Sequence, residues 1–191
     1  MKPIKRKYVD VETTGLDVGT HELLEVAVVI EEVSAPFTHP GTITVQWCRK
    51  IIPQHIETAT PVALKVNGYT PEAWADAVTF DSVAEELAIL LTGRGTIIGQ
   101  NPKFDMGFIK HALEACGALD RLAQKSVDTK ISHRTIDTTT MAYVAWGLDG
   151  ELKLGLDSLR KFLGVKTEGA HRALKDAMDC REVFYRALAE R

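Results

Sequence analysis

The stretch Tyr8-Val9-Asp10-Val11-Glu12-Thr13-Thr14-Gly15-Leu16 constrains this 191-residue chain more than any other. Tyr8, Val9 and Val11 favour a strand, in which side chains alternate between faces with a period of two. Asp10 and Glu12 therefore share one face, and Val9 and Val11 the other. Two neighbouring carboxylates repel each other and lose hydration where partly buried, a poor choice for stability alone. A divalent cation removes both penalties, because hard cations such as Mg²⁺ take carboxylate oxygens. A D-x-E pair by itself is more often a solvated strand edge. The rest of the chain has to decide.

The chain after Leu16 reads as strands first and helix-interleaved strands later. Glu22 to Glu32 is a β-rich apolar run suited to a buried strand. Ser34-Ala35-Pro36 through Pro40-Gly41 reads as a turn, and Thr42 to Ile52 as the returning strand, which Pro53 ends. These three strands form an antiparallel meander. Thr60 to Gly68 is a short helix leading into the turn cluster Asn67 to Pro71. Phe80 to Leu91 is a stronger helix, with Val83, Leu87, Leu90 and Leu91 on one face and Asp81 or Ser82 as its cap. Thr96 to Gln100 is a short buried strand, and Asn101-Pro102 opens a helix from Lys103 to Cys116 that Gly117 stops. Val127 to Asp137 holds the last strand, after which Asp137 or Thr138 caps a helix to Trp146. Leu156 to Leu163 and Arg172 to Ala189 are the remaining helices. The pattern is α/β, a mixed sheet with helices packed on it.

Length favours one domain over residues 1–191, large enough for a full core. Cys48, Cys116 and Cys180 are odd in number and widely spaced, as expected of reduced cysteines in a cytoplasmic protein. No apolar run approaches the roughly 20 residues of a membrane span, and the basic start lacks the apolar core of a signal peptide. A net charge of −3 argues against a broad phosphate-gripping surface, though not against a local site where metals supply the positive charge.

Two further acidic positions matter. Asp105 stands in the first turn of a helix that follows a short strand, where the helix dipole favours a carboxylate and where open α/β sheets gather ligands. His171 and Asp176 are five residues apart, about 140° around a regular helix, so they cannot share a helical face. They converge only if His171 lies in the loop or first turn before the helix. Gly164 and Gly169 make that approach flexible, which suits a general base that swings in with substrate.

Together Asp10-x-Glu12, Asn101 to Asp105, and His171 with Asp176 resemble, in order and spacing, the three motifs of the DEDD exonuclease superfamily. The histidine matches its DEDDh, or DnaQ-like, branch. Thr13-Thr14-Gly15-Leu16, the Val66 to Thr70 turn and Phe104 are similar to that family too. The resemblance implies a ribonuclease H-like fold, a five-stranded mixed sheet with its first three strands antiparallel. It implies that Asp10, Glu12, Asp105 and Asp176 hold two Mg²⁺ or Mn²⁺ ions, with His171 as general base, to release nucleoside 5′-monophosphates from a 3′ end. It implies that Thr13, Thr14, Gly15, Leu16, Asn67 and Phe104 meet the terminal nucleotide. The expected substrate is single-stranded DNA, in stand-alone repair or beside a DNA polymerase. RNA trimming like that of ribonuclease T or oligoribonuclease is the alternative, and a non-catalytic nucleic-acid-binding module a more distant one. Five other histidines, His21, His39, His55, His111 and His133, lack ligand spacing and read as surface or packing residues. The run Lys5-Arg6-Lys7 suggests a short first strand.

Overall fold

In the computed structural model, which describes residues 2–147 and 154–190, the D-x-E strand lies at the centre of a five-stranded sheet. Strand β1 (Ile4–Thr13) pairs antiparallel with β2 (Leu23–Val33), and β2 antiparallel with β3 (Thr42–Lys50). On its other side β1 pairs in parallel with β4 (Thr96–Gly99), which pairs in parallel with β5 (Thr135–Asp137). The order is β3-β2-β1-β4-β5, with the antiparallel meander expected from the sequence.

Alternation along β1 sorts the two layers. Val9 and Val11 face one core with Val26, Val28 and Ile97, covered by α2 (Phe80–Leu91), α3 (Pro102–Ala115) and α4 (Ala118–Gln124) through Leu87, Leu91, Ile109, Leu113 and Leu122. Tyr8 faces the other with Ala27, Val29 and Ile98, covered by Ala173, Ala177 and Phe184 of the long helix α7 (Ala173–Ala189). Helix α1 (Pro61–Asn67) follows β3. Helices α5 (Thr138–Trp146) and α6 (Leu156–Leu163) lie before α7, sharing a small apolar cluster of Ala142, Leu159 and Val183. No described helix is long and apolar enough to cross a membrane.

Three local expectations need correction. The first strand is long, because Arg6 and Lys7 are buried with defined acceptors. Lys7 Nζ donates to the Thr92 carbonyl at 2.5 Å, and Arg6 donates to the Tyr185 hydroxyl and the Phe37 carbonyl, each at 2.6 Å. Their aliphatic stems pack while their heads are satisfied, so a basic run need not end a strand. Gly117 stops α3 as expected, but its left-handed backbone (φ 66°) also starts α4, which the sequence did not announce. Thr79, not Asp81 or Ser82, stands at the N-cap of α2. Asp137 does cap α5, accepting the Thr139 N–H at 3.0 Å.

Candidate active site

The carboxylates gather where β1 outruns β4. The last β1–β4 pair is Tyr8 with Ile98, so the Val11 N–H lies beyond the ladder. Asp105, in the first turn of α3, takes it: Val11 N–H donates to Asp105 Oδ1 at 3.0 Å. Gly99 makes this crossing possible, since a Cβ there would stand 2.9 Å from the Val9 carbonyl oxygen. Asp10 and Glu12 project toward α7, whose first turn carries Asp176. One ligand oxygen from each of Asp10, Glu12 and Asp176 lies within 4.8 Å of the others.

Burial and mutual repulsion make this cluster electrostatically uncomfortable. Burial, then the Asp105, Asp176 and Glu12 carboxylates, hold the Asp10 carboxyl well above its usual range. Glu12 is pushed up to about 8 by burial, with Asp176, Glu25 and Asp105 adding to it. Burial raises Asp105 to about 7, against the hydrogen bonds it accepts. Asp105 Oδ2 is buried with no hydrogen-bond partner among the described residues. An orphaned carboxylate oxygen beside three more carboxylates fits a hard divalent cation, which would supply the missing charge and coordination.

His171 stands before α7, as its spacing required. It has a left-handed backbone (φ 61°), and its Nε2 lies 3.4 Å from Asp157 Oδ2. Sequence reasoning passed over several supports around it. Glu25 pairs across the ladder with Glu12 and is buried, receiving Arg172 Nη2 at 2.7 Å, Arg172 Nε at 3.0 Å and the Ala173 N–H at 3.0 Å. It thereby ties the start of α7 to β2. Arg160, buried on α6, donates from Nη2 to Asp176 Oδ1 at 2.5 Å. The available signal was a glutamate inside the apolar run Leu23 to Ile30, a costly position without a partner.

A cleft of ≈ 550 Å³ opens beside the acids, lined by Glu12, Thr13, Gly15, Leu16, Asn67 and Phe104, with Val62 and Val66 of α1. Leu16 is 78% exposed and Val62 72%, so both are apolar walls facing solvent and not core. Phe104 packs on Phe108 with ring centroids 5.0 Å apart. Asn67 is buried and donates Nδ2 to the Thr13 carbonyl at 2.8 Å, which fixes the loop. Thr13 and Thr14 act differently. Thr13 Oγ1 donates to the Gly15 carbonyl at 2.6 Å beside the cleft, whereas Thr14 is fully buried and its hydroxyl accepts the Glu22 N–H at 2.8 Å, outside the lining. His21 does more than packing alone suggested. It lines the cleft, accepts the Asp17 N–H on Nδ1 at 3.0 Å, and its ring would sit 2.2 Å from a Cβ on Gly15.

The exonuclease family profile (RNase T) matches residues 8–184. The DNA polymerase III subunit epsilon of Treponema pallidum is 25% identical over 180 residues, covering 94% of this chain and 74% of that one. Ribonuclease T of Shewanella baltica is 28% identical over 194 residues, covering 92% and 78%. Among solved structures, E. coli exonuclease I in complex with a dT13 oligonucleotide superposes with a TM-score of 0.72 at 17% identity, over 97% of this chain. The chain spans only 41% of that exonuclease I chain. The structural likeness agrees with the sheet order. The chain belongs to the RNase T exonuclease family, as a DnaQ-like nuclease of ribonuclease H-like fold.

Proposed function

We propose that this chain is one metal-dependent exonuclease domain, releasing nucleoside 5′-monophosphates from the 3′ end of single-stranded nucleic acid, with DNA as the preferred substrate. The observation that carries the reading is Asp105 Oδ2, buried and unpaired among the described residues, in a carboxylate whose charge acts on Asp10 and Glu12, which themselves converge with Asp176. These four residues would hold two Mg²⁺ or Mn²⁺ ions, which when bound supply Lewis-acid stabilisation of the charge developing on the phosphodiester oxygens. Glu25 and Arg172 keep the start of α7, and with it Asp176, against β1 and β2. His171 takes the proton of the attacking water on Nε2, for which that nitrogen must leave Asp157. The loop between Gly164 and Gly169 provides that movement.

The cleft holds the terminal nucleotide. Leu16, Val62 and Val66 offer exposed apolar surface to a base, and Phe104 a ring edge. Only Phe104 among these can stack on a base, a contact worth roughly 1–3 kcal/mol per base in single-strand binders. Gly15 lets the backbone approach the nucleotide closely, under a loop pinned by Asn67 and Thr14. A DNA polymerase is the partner this reading allows, supported by the similarity to epsilon subunits. RNA 3′-end trimming is the second reading, favoured by the similarity to ribonuclease T.

The test is digestion of 5′-labelled single-stranded DNA and RNA of one sequence, with Mg²⁺, with Mn²⁺ and with chelator. The proposal expects a metal-dependent ladder shortening from the 3′ end, faster on DNA. A faster RNA ladder would replace the substrate, and intact strands of both kinds with metal present would refute the activity.

A further inference from the structure

Helix α6 presents Asp157 and Arg160 one turn apart to the site. Arg160 is 1% exposed and heads the fully buried side chains by volume among the described residues. Three of its nitrogens each reach a different carboxylate. Nη2 donates to Asp176 Oδ1 at 2.5 Å, Nε to Asp179 Oδ2 at 2.6 Å, and Nη1 to Asp157 Oδ1 at 2.7 Å. Lys175 Nζ adds a second cation on Asp179, at 2.5 Å from Oδ1. The other oxygen of Asp157 faces His171 Nε2 at 3.4 Å.

A guanidinium this deeply buried is tolerated only with its charge matched and its donors satisfied. Asp157 and Asp179 would suffice for that. Arg160 and Lys175 formally balance those two carboxylates. The third contact adds geometry to charge. It occupies Oδ1 of Asp176 and leaves Oδ2 without a bond from Arg160. We propose that Arg160 is a positioning residue, holding Asp176 in one orientation at the metal centre. The inference rests on the metal-centre reading above.

The test uses the full chain with Arg160→Lys, which keeps the charge and loses the planar fork. Mn²⁺ binding to the metal-free protein is measured by calorimetry, alongside kcat and KM on a single-stranded oligonucleotide and thermal melting with and without Mn²⁺. Partners of metal ligands typically alter metal affinity or activity by roughly 10–100-fold, and that loss is expected here in Mn²⁺ affinity and in kcat, with KM little changed. The Mn²⁺-dependent rise in Tm should shrink as well, whereas a purely structural role would lower Tm equally with and without metal. A folded Arg160→Lys protein that binds Mn²⁺ as tightly as the wild type overturns the proposal. If that variant does not fold, Asp179→Asn removes one anchor of the guanidinium and leaves Asp176 intact. Weaker Mn²⁺ binding then supports the positioning role, and unchanged binding overturns it. Failure of the wild-type protein itself to bind Mn²⁺ would instead refute the metal-centre reading, and this inference with it.

Discussion

Asp105 gives one oxygen to the Val11 N–H and keeps the other buried without a partner among the described residues, an imbalance that a bound cation would relieve. Its carboxyl and that of Glu12 have ordinary values of 3.8 and 4.5, and are raised in the fold to about 7 and about 8. Between those values the folded metal-free protein binds more protons than the unfolded chain, so stability falls as pH rises. The contribution is complete below about pH 4 and is lost through about pH 7 to 8. Melting in chelator should therefore show Tm falling across that window, and saturating Mg²⁺ should flatten or reverse the slope by binding the ionised form. A chelated Tm that holds level over the window would contradict this. His171 is a separate matter, since it proposes a proton acceptor and not a ligand. Replacing it with Ala should cut kcat by about 10²–10⁴-fold, the usual contribution of general base catalysis, while calorimetric Mn²⁺ binding stays near wild type. Unchanged turnover would remove His171 from the role.

At the scale of elements, the site depends on where α7 begins. Glu25 receives Arg172 twice and the Ala173 N–H once, anchoring the turn that bears Asp176. Glu25→Ala should destabilise the fold by roughly 3 kcal/mol, since bonds to a charged acceptor are worth about 1.5–3 kcal/mol each and do not add fully. For a chain of this length that lowers Tm by roughly 6–12 °C, and an unchanged melting curve would show that α7 is held elsewhere. The elements themselves were largely legible because their signals are local. The period of two in Tyr8 to Val11, the apolar run after Glu22, and Gly117 and Asp137 at helix ends all speak from neighbouring residues. The acids were legible only as a set, because a D-x-E pair alone is more often a solvated strand edge and it took Asp105 and His171 with Asp176 to change that reading. Glu25, Arg172, Asp157 and Arg160 were not, because their partners are chosen by register across β1 and β2 and by the packing of α6 on α7. The buried Arg6 and Lys7 were missed for the same reason, since their acceptors Phe37, Thr92 and Tyr185 are distant in sequence.

At the scale of the whole molecule, a net charge of −3 argues against a broad basic surface, and in the proposed reading the attraction for a phosphate backbone is local to the cation site. Oligonucleotide affinity should then depend weakly on salt, with a log–log slope shallower than about −2, since single strands give about −0.7 per neutralised phosphate. A slope several units steeper would reveal an extended basic track and a different mode of binding. The central claim is that Asp10, Glu12, Asp105 and Asp176 form one cation-binding centre that hydrolyses strands from the 3′ end. Its most direct test is digestion of a 5′-labelled single strand by the wild type and by Asp10→Asn, each with Mn²⁺ and with chelator. A 3′-shortening ladder is expected from the wild type with Mn²⁺ alone, and intact strand in the other three reactions. A ladder from Asp10→Asn equal to that of the wild type, or one that survives chelation, would contradict it.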